Sequence, residues 1–315
     1  MQKKVTIIGA GAVGSTTAFA LLTKGAASEV VLIDVNHEKA LGEAMDMNQA
    51  TPYIDNCCIY AGSYEDAVGS DVVIITSGIG RKPGQTRLEL VQTNVGIIKS
   101  ISTEIVKYAP DAIYLLVANP VDILTYAFLK YTGLPKNQVF GTGTVLDTIR
   151  LRTRLSEIYN VNKQQVHANV LGEHGDTSLV AWSTATIAGV PLDQYVPAIA
   201  TPYFEPEVYT KEDVETYVKK SGGQIIARKG CTTYGIAISS AQIVKTLAGS
   251  AETALTVSSL HEGEYGISDV CLSSLSLVDR TGVKSIITQT LTDEELAKLH
   301  ASAEALKEVI RSAGL

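Results

Sequence analysis

Two arginines, Arg81 and Arg87, stand six residues apart in Gly-Ile-Gly-Arg-Lys-Pro-Gly-Gln-Thr-Arg, residues 78–87. Three glycines and a proline in those ten positions forbid regular structure. A segment that can bend while carrying two cations could close over an anionic small molecule and exclude water from it. Taken alone, a solvated basic loop accounts for it better. Of the five histidines, His37 and His261 lie in polar, turn-like contexts and are expected at the surface, and His300 on the polar side of a helix. His174 differs: it lies between Gly172 and Gly175 at a strand end, where a side chain can be presented to a cleft. A locally satisfied histidine is the competing reading. Asp147 and Arg150, three apart, share one face of a helix.

The elements that would position these groups begin at the N-terminus. Lys4 to Ile8 is a β-rich apolar run, followed by Gly9-Ala-Gly-Ala-Val-Gly14, a helical stretch to Lys24, and a second apolar run ending at Asp34. Strand, glycine turn, helix and strand together form a dinucleotide fingerprint: the first glycine permits the tight turn, the second lets backbone approach a pyrophosphate, and the third packs helix on strand. The helix N-terminus would hold the pyrophosphate. Asp34, 20 residues beyond Gly14, could accept hydrogen bonds from the adenosine ribose and would repel a 2′-phosphate, favouring NAD over NADP. Strands and helices then alternate over the first half: helix 38–49, strand 71–75, helix 88–108, strand 113–117, helix 122–131 and strand 139–141. This order predicts a parallel, doubly wound sheet whose ligands bind beyond the strand ends. Gly9–Gly14, Asp34, the 78–87 segment and Asn119 all follow strand ends, so they should share one crevice, which favours the lid reading.

The second half is expected to hold a helix over 144–159, a strand over 165–172, helices over 212–229 and 232–248, strands over 254–260 and 269–278, and a last helix capped by Thr292 and Glu295. A chain of 315 residues suggests two domains. The net charge of −7 excludes a general nucleic-acid binder, so anionic substrates must be captured by local cations. No apolar run approaches the roughly 20 residues of a membrane helix. Cys57, Cys58, Cys231 and Cys271 form no disulfide framework, which points to free thiols in a reducing, cytoplasmic compartment.

Gly9-Ala-Gly-Ala-Val-Gly14, Arg81-Lys-Pro-Gly-Gln-Thr-Arg87, Asn119-Pro-Val-Asp122, Thr144-Val-Leu-Asp147-Thr-Ile-Arg150 and Gly172-Glu-His174-Gly-Asp176 together resemble the L-lactate/L-malate dehydrogenase family, in order and nearly end to end. The resemblance implies a Rossmann-type doubly wound parallel sheet over 1–143, a mixed α/β substrate domain over 144–315, and a homodimer or homotetramer. It implies His174 as the proton-transfer residue, Asp147 as its orienting carboxylate and Arg87 as the group polarising the carbonyl. Arg150 would hold the substrate carboxylate, with Asn119 and Thr232 lining the pocket. Gly9, Gly11, Val13, Gly14, Asp34, Gly78, Asn94, Val117 and Asn119 are the expected NAD contacts, and no metal is needed. Arg81 is the discriminating position: the family's lactate enzymes typically carry glutamine there and its malate enzymes arginine. Malate/oxaloacetate is therefore the expected pair, since a second carboxylate would partner Arg81. L-lactate dehydrogenase is the alternative, supported by Lys229-Gly-Cys-Thr-Thr-Tyr-Gly235, with Arg152 and His167 matching a fructose 1,6-bisphosphate site. A catalytically silent NAD-binding protein is a remote alternative, because His174, Asp147 and Arg87 are all retained.

Overall fold

The computed structural model describes residues 3–54, 57–80, 87–200 and 204–315, with Arg87 known by its backbone alone. Arg81 and the centre of the expected lid lie outside the described residues, as does the Arg87 side chain.

The first half alternates β1 (Lys4–Ile8), α1 (Ala12–Thr23), β2 (Glu29–Ile33), α2 (His37–Ala50), β3 (Cys58–Ala61), β4 (Val72–Ile75), α3 (Arg87–Tyr108), β5 (Ile113–Leu116), α4 (Val121–Thr132) and β6 (Val139–Gly141). These six strands are parallel in the order 3-2-1-4-5-6, with Ile8 of β1 opposite both Ile33 and Ile75. The order reverses between β1 and β4, the position where an open α/β sheet binds ligands. The apolar runs follow from burial on both faces. All four residues of β4 and of β5 are buried, beneath α3 and α4 on one face and α1 on the other. Each such side chain taken fully from water contributes about 1.5–3 kcal/mol.

The second half contains α5 (Val145–Ile158), the short strands β7 (Val166–His167), β8 (Val170–Leu171), β9 (Leu179–Val180), β10 (Thr186–Ile187) and β11 (Val190–Pro191), then α6 (Leu192–Tyr195), α7 (Lys211–Lys229) and α8 (Tyr234–Ala248). β12 (Thr253–Glu262), β13 (Ser268–Asp279), β14 (Gly282–Ile286) and α9 (Asp293–Ala313) complete it. β12 pairs antiparallel with β6 through Ser258 and Gly141, so one nine-stranded sheet runs from β3 to β14. The Thr292–Glu295 capping box is present, and the Glu295 carboxylate also accepts from the Ser183 backbone N–H. No helix of the described residues is long and apolar enough to cross a membrane, and all four cysteines are free.

The structure departs from the sequence reading at three places. Residues 165–172 are not one strand: Arg152 binds the Ala168 carbonyl and the Asn169 side chain between β7 and β8, and the two strands enter different sheets. The edge strands β3 and β14 were not anticipated: β14 (Gly-Val-Lys-Ser-Ile) carries no apolar run, and β3 was missed although Cys58-Ile-Tyr-Ala61 is apolar throughout. His261 is not at the surface. It lies on β12, 0% exposed, with Nε2 bonded to Ser274 Oγ at 2.9 Å and Nδ1 to the Ser259 carbonyl at 3.0 Å. Burial lowers its pKa and keeps the ring neutral. Its serine neighbours belong to a hydroxyl-rich strand pair, and the turn begins only after Glu262.

Candidate active site

The glycine turn is fixed by sterics. A Cβ on Gly14 would stand 1.8 Å from the Gly9 carbonyl oxygen, whereas one on Gly11 would meet nothing within 4 Å. Gly11 therefore leaves open space beside the start of α1. That helix has no side-chain cap and no acidic residue in its first turn, so its N–H groups remain available to an anion. Asp34 is held against the same turn, its Oδ2 accepting from the Ala10 N–H at 2.7 Å and its Oδ1 from Asn36 at 2.8 Å. A groove of about 570 Å³ runs past Gly9, Gly11, Asp34 and Gly78. Tyr64, Ile97 and Ile101 add its apolar walls, in stretches that carry no motif and gave no warning in the sequence.

Asn94 is among the expected cofactor contacts. It is 1% exposed, and its amide is committed to the Ile79 backbone and the Asn119 carbonyl. It holds the start of the 78–87 segment to the end of β5 from behind.

A second cavity of about 220 Å³ is lined by Val13, Val117, Asn119, Asp147, Arg150, His174 and Thr232. Residues 147 and 174 converge because α5 and the turn after β8 pack side by side. His174 Nδ1 lies 2.6 Å from Asp147 Oδ2, and Arg150 Nη1 donates to Asp147 Oδ1 at 2.7 Å. A carboxylate on Nδ1 fixes that nitrogen as the N–H and leaves Nε2 for the cavity. Burial alone would depress the His174 pKa, but the Asp147 charge and hydrogen bond outweigh it, and the net shift is upward from 6.5. Burial pushes Asp147 the other way, and the His174 and Arg150 charges win, holding it below the usual carboxylate range. Both shifts favour the imidazolium–carboxylate pair. Such an arrangement can deliver a proton to a developing alkoxide and take it back. Arg150 has a second task that its spacing only hinted at, since part of its guanidinium is spent on Asp147.

Leu146, Lys219, Gly222 and Ile236 also line this cavity. Leu146 could have been found from the sequence, one helical turn before Arg150; the others depend on how α7 and α8 pack. Arg152 and His167 lie outside both cavities. Arg152 grips the Ala168 carbonyl, and His167, one residue before it, is exposed.

Residues 3–141 match the model of the lactate/malate dehydrogenase NAD binding domain, and residues 144–314 that of the lactate/malate dehydrogenase alpha/beta C-terminal domain. The chain belongs to the lactate/malate dehydrogenase family. It is 47% identical over 310 residues to the L-lactate dehydrogenase of Acetivibrio thermocellus, covering 98% of this chain and 97% of that protein. It is 45% identical over 304 residues to an L-lactate dehydrogenase of Clostridium perfringens, covering 96% and 95%. The crystal structure of the minor L-lactate dehydrogenase from Enterococcus mundtii superposes with a TM-score of 0.93 at 40% identity, covering 99% of this chain and 98% of that one.

As a member of this family the protein is an NAD-dependent dehydrogenase, and the open space at Gly11, the uncapped α1 and Asp34 fit the dinucleotide. If Asp34 accepts from the ribose as expected, replacing it with serine takes a charged acceptor from that end. We expect KM for NADH to rise about 10–100-fold, as for loss of hydrogen bonds to a charged group. The preference for NADH over NADPH should shrink, and steady-state kinetics with both cofactors checks this.

Proposed function

We propose that this chain is an L-lactate dehydrogenase that reduces pyruvate to L-lactate and catalyses the reverse reaction. The observation that carries the chemistry is the line Arg150–Asp147–His174 along a cavity sized for a small acid. The choice of lactate is supported by the names of the relatives and by Thr232 and Ile236, which give the cavity a neutral wall.

When bound, reduced NAD supplies the hydride. His174 keeps a proton on Nε2 for the keto oxygen, while Asp147 holds the ring and stabilises its charge. Arg150 takes the substrate carboxylate with the part of its fork that Asp147 leaves free. Asn119, on the wall of the substrate cavity, would bridge substrate and nicotinamide, and Arg87 is assigned to polarise the keto group.

A second reading, malate/oxaloacetate, is favoured by one residue. Arg81 would be partly desolvated without a partner over pyruvate, whereas oxaloacetate brings it a carboxylate. An NADH assay with the two keto acids side by side decides: a higher kcat/KM for oxaloacetate overturns the lactate assignment. Arg81→Gln should lower oxaloacetate turnover about 10–100-fold, the worth of a charged hydrogen bond, and leave pyruvate use intact or improved. Added fructose 1,6-bisphosphate in the same assay tests the Arg152–His167 pair, and unchanged kinetics would remove that role.

For the assembly, a homo-oligomer is supported by the partly exposed apolar side chains Phe19 on α1 and Ile238 on α8, two helices that pack together. The free thiols suit a reducing, cytoplasmic compartment.

A further inference from the structure

One face of α7 is turned toward the substrate cavity. Lys219, Gly222 and Ile226, which line it, stand at positions i, i+3 and i+7 of that helix. The buried residues of α7 are Val214 and Val218, so the cavity-lining stripe does not serve to fill the core. Gly222 marks how close the helix comes to the Arg150 guanidinium. A Cβ there would stand 3.7 Å from Arg150 Nη2 and 3.9 Å from Nη1, ordinary contact distances. Alanine would therefore fit, and glycine inside a helix is the less stable choice. What glycine provides is open space beside Nη2, while Nη1 is the nitrogen bonded to Asp147.

One turn earlier on the same face, Lys219 is exposed and has no ion pair or hydrogen bond among the described residues. The charged groups lining the cavity, among the described residues, are Asp147, Arg150, Asp176 and Lys219, with His174 titrating. Arg150 lies against Asp147, so much of its charge is answered before a substrate arrives. The chain as a whole carries −7 and repels an anion. Without Lys219 the two acids outnumber Arg150, and a keto acid would enter a cavity of its own sign whenever His174 is neutral. A lysine suits the task of countering this: its ammonium is a compact charge on a flexible stem, able to meet a carboxylate outside and follow it inward. The competing explanation is a solvated surface lysine, the ordinary place of that residue on a helix. Its position on the stripe that passes Arg150 speaks against that.

We infer that Lys219 is a further substrate-binding residue, the cation at the mouth of the cavity that gathers the keto-acid anion and delivers its carboxylate to Arg150. The inference rests on the dehydrogenase reading of this site. Because it acts through charge, a dianion feels it twice, so Lys219 also favours oxaloacetate over pyruvate at the binding step.

Lys219→Met keeps most of the stem and removes the charge. KM for pyruvate should rise about 2–5-fold, the fold-change equivalent of an exposed ion pair, with kcat altered far less. The rise for oxaloacetate should be larger than for pyruvate. Lys219→Glu should exceed Lys219→Met for both acids, and Lys219→Arg should restore KM. Ionic strength supplies the readout that a purely structural role would leave alone. KM of the unaltered enzyme should climb with added salt, and that climb should shrink in Lys219→Met. An unchanged KM, or a raised KM with the salt dependence intact, overturns the inference, as does a loss confined to kcat. Should the unaltered protein turn over neither keto acid, the dehydrogenase reading fails. Calorimetry of pyruvate binding to the NAD-loaded protein then still compares it with Lys219→Met, and equal affinity or no binding overturns the role of Lys219 as well.

Discussion

Asp147→Asn is expected to lower kcat/KM for pyruvate reduction by about 10²–10⁴-fold, the range for loss of a working general acid. The substitution is nearly isosteric, so the effect comes from charge and hydrogen-bond polarity. An asparagine can turn its oxygen to His174 Nδ1 only by presenting its NH2 group to Arg150 Nη1, placing donor against donor. Turned the other way, it opposes the Nδ1–H. Either way the imidazolium loses its carboxylate while Arg150 remains beside it, so the His174 pKa falls and the alkaline limb moves to lower pH. The sign for stability follows from the same shifts. His174, raised above 6.5, contributes stability that is present below 6.5 and lost as pH rises through its folded pKa. Asp147, lowered from 3.8, contributes above 3.8 and loses it as pH falls through its folded value. Asp147→Asn should therefore flatten the pH dependence of Tm as well as reduce activity. Unchanged pH profiles for both would mean that the short contact to His174 does not govern its protonation.

What could be read from the sequence follows the range of the forces involved. The glycine turn and Asp34 were legible because their constraints are local: Gly14 must lack a Cβ to clear the Gly9 carbonyl, and Asp34 ends the next strand, where its carboxylate meets Ala10. The Asp147–Arg150 pair was legible for the same reason, three residues apart on one helix. The meeting of His174 with Asp147 was not. Nothing in spacing or periodicity brings residues 27 positions apart together, and only the family resemblance supplied the pair. His261 was misplaced because a histidine among serines looks solvated until two hydroxyl-lined strands close over it. Asn94, expected to meet the cofactor, is 1% exposed with its amide bonded to Ile79 and to the Asn119 carbonyl, packing that no motif announced.

Arg150→Gln is expected to cost about 10²–10⁴-fold in kcat/KM, mainly through KM for the keto acid. That range converts the roughly 3–5 kcal/mol lost when one partner of a buried ion pair is removed. The guanidinium is only 14% exposed and already shares Asp147 with His174, and under the proposed function it would serve two anions with one planar fork. Arg150→Lys keeps the charge and separates these tasks, because a single ammonium cannot lie on Asp147 and present two parallel donors to a carboxylate. The lysine variant should recover part of the binding and little of the geometry. The two arginine variants also test the electrostatics in the opposite direction from Asp147→Asn. Arg150 depresses the His174 pKa, so its neutral replacement should move the alkaline limb to higher pH, while lysine leaves it near its original place. An upward shift with glutamine and a downward shift with Asp147→Asn would together establish that His174 is tuned between these two charges. Shifts of the same sign would mean that both substitutions simply disorder the ring.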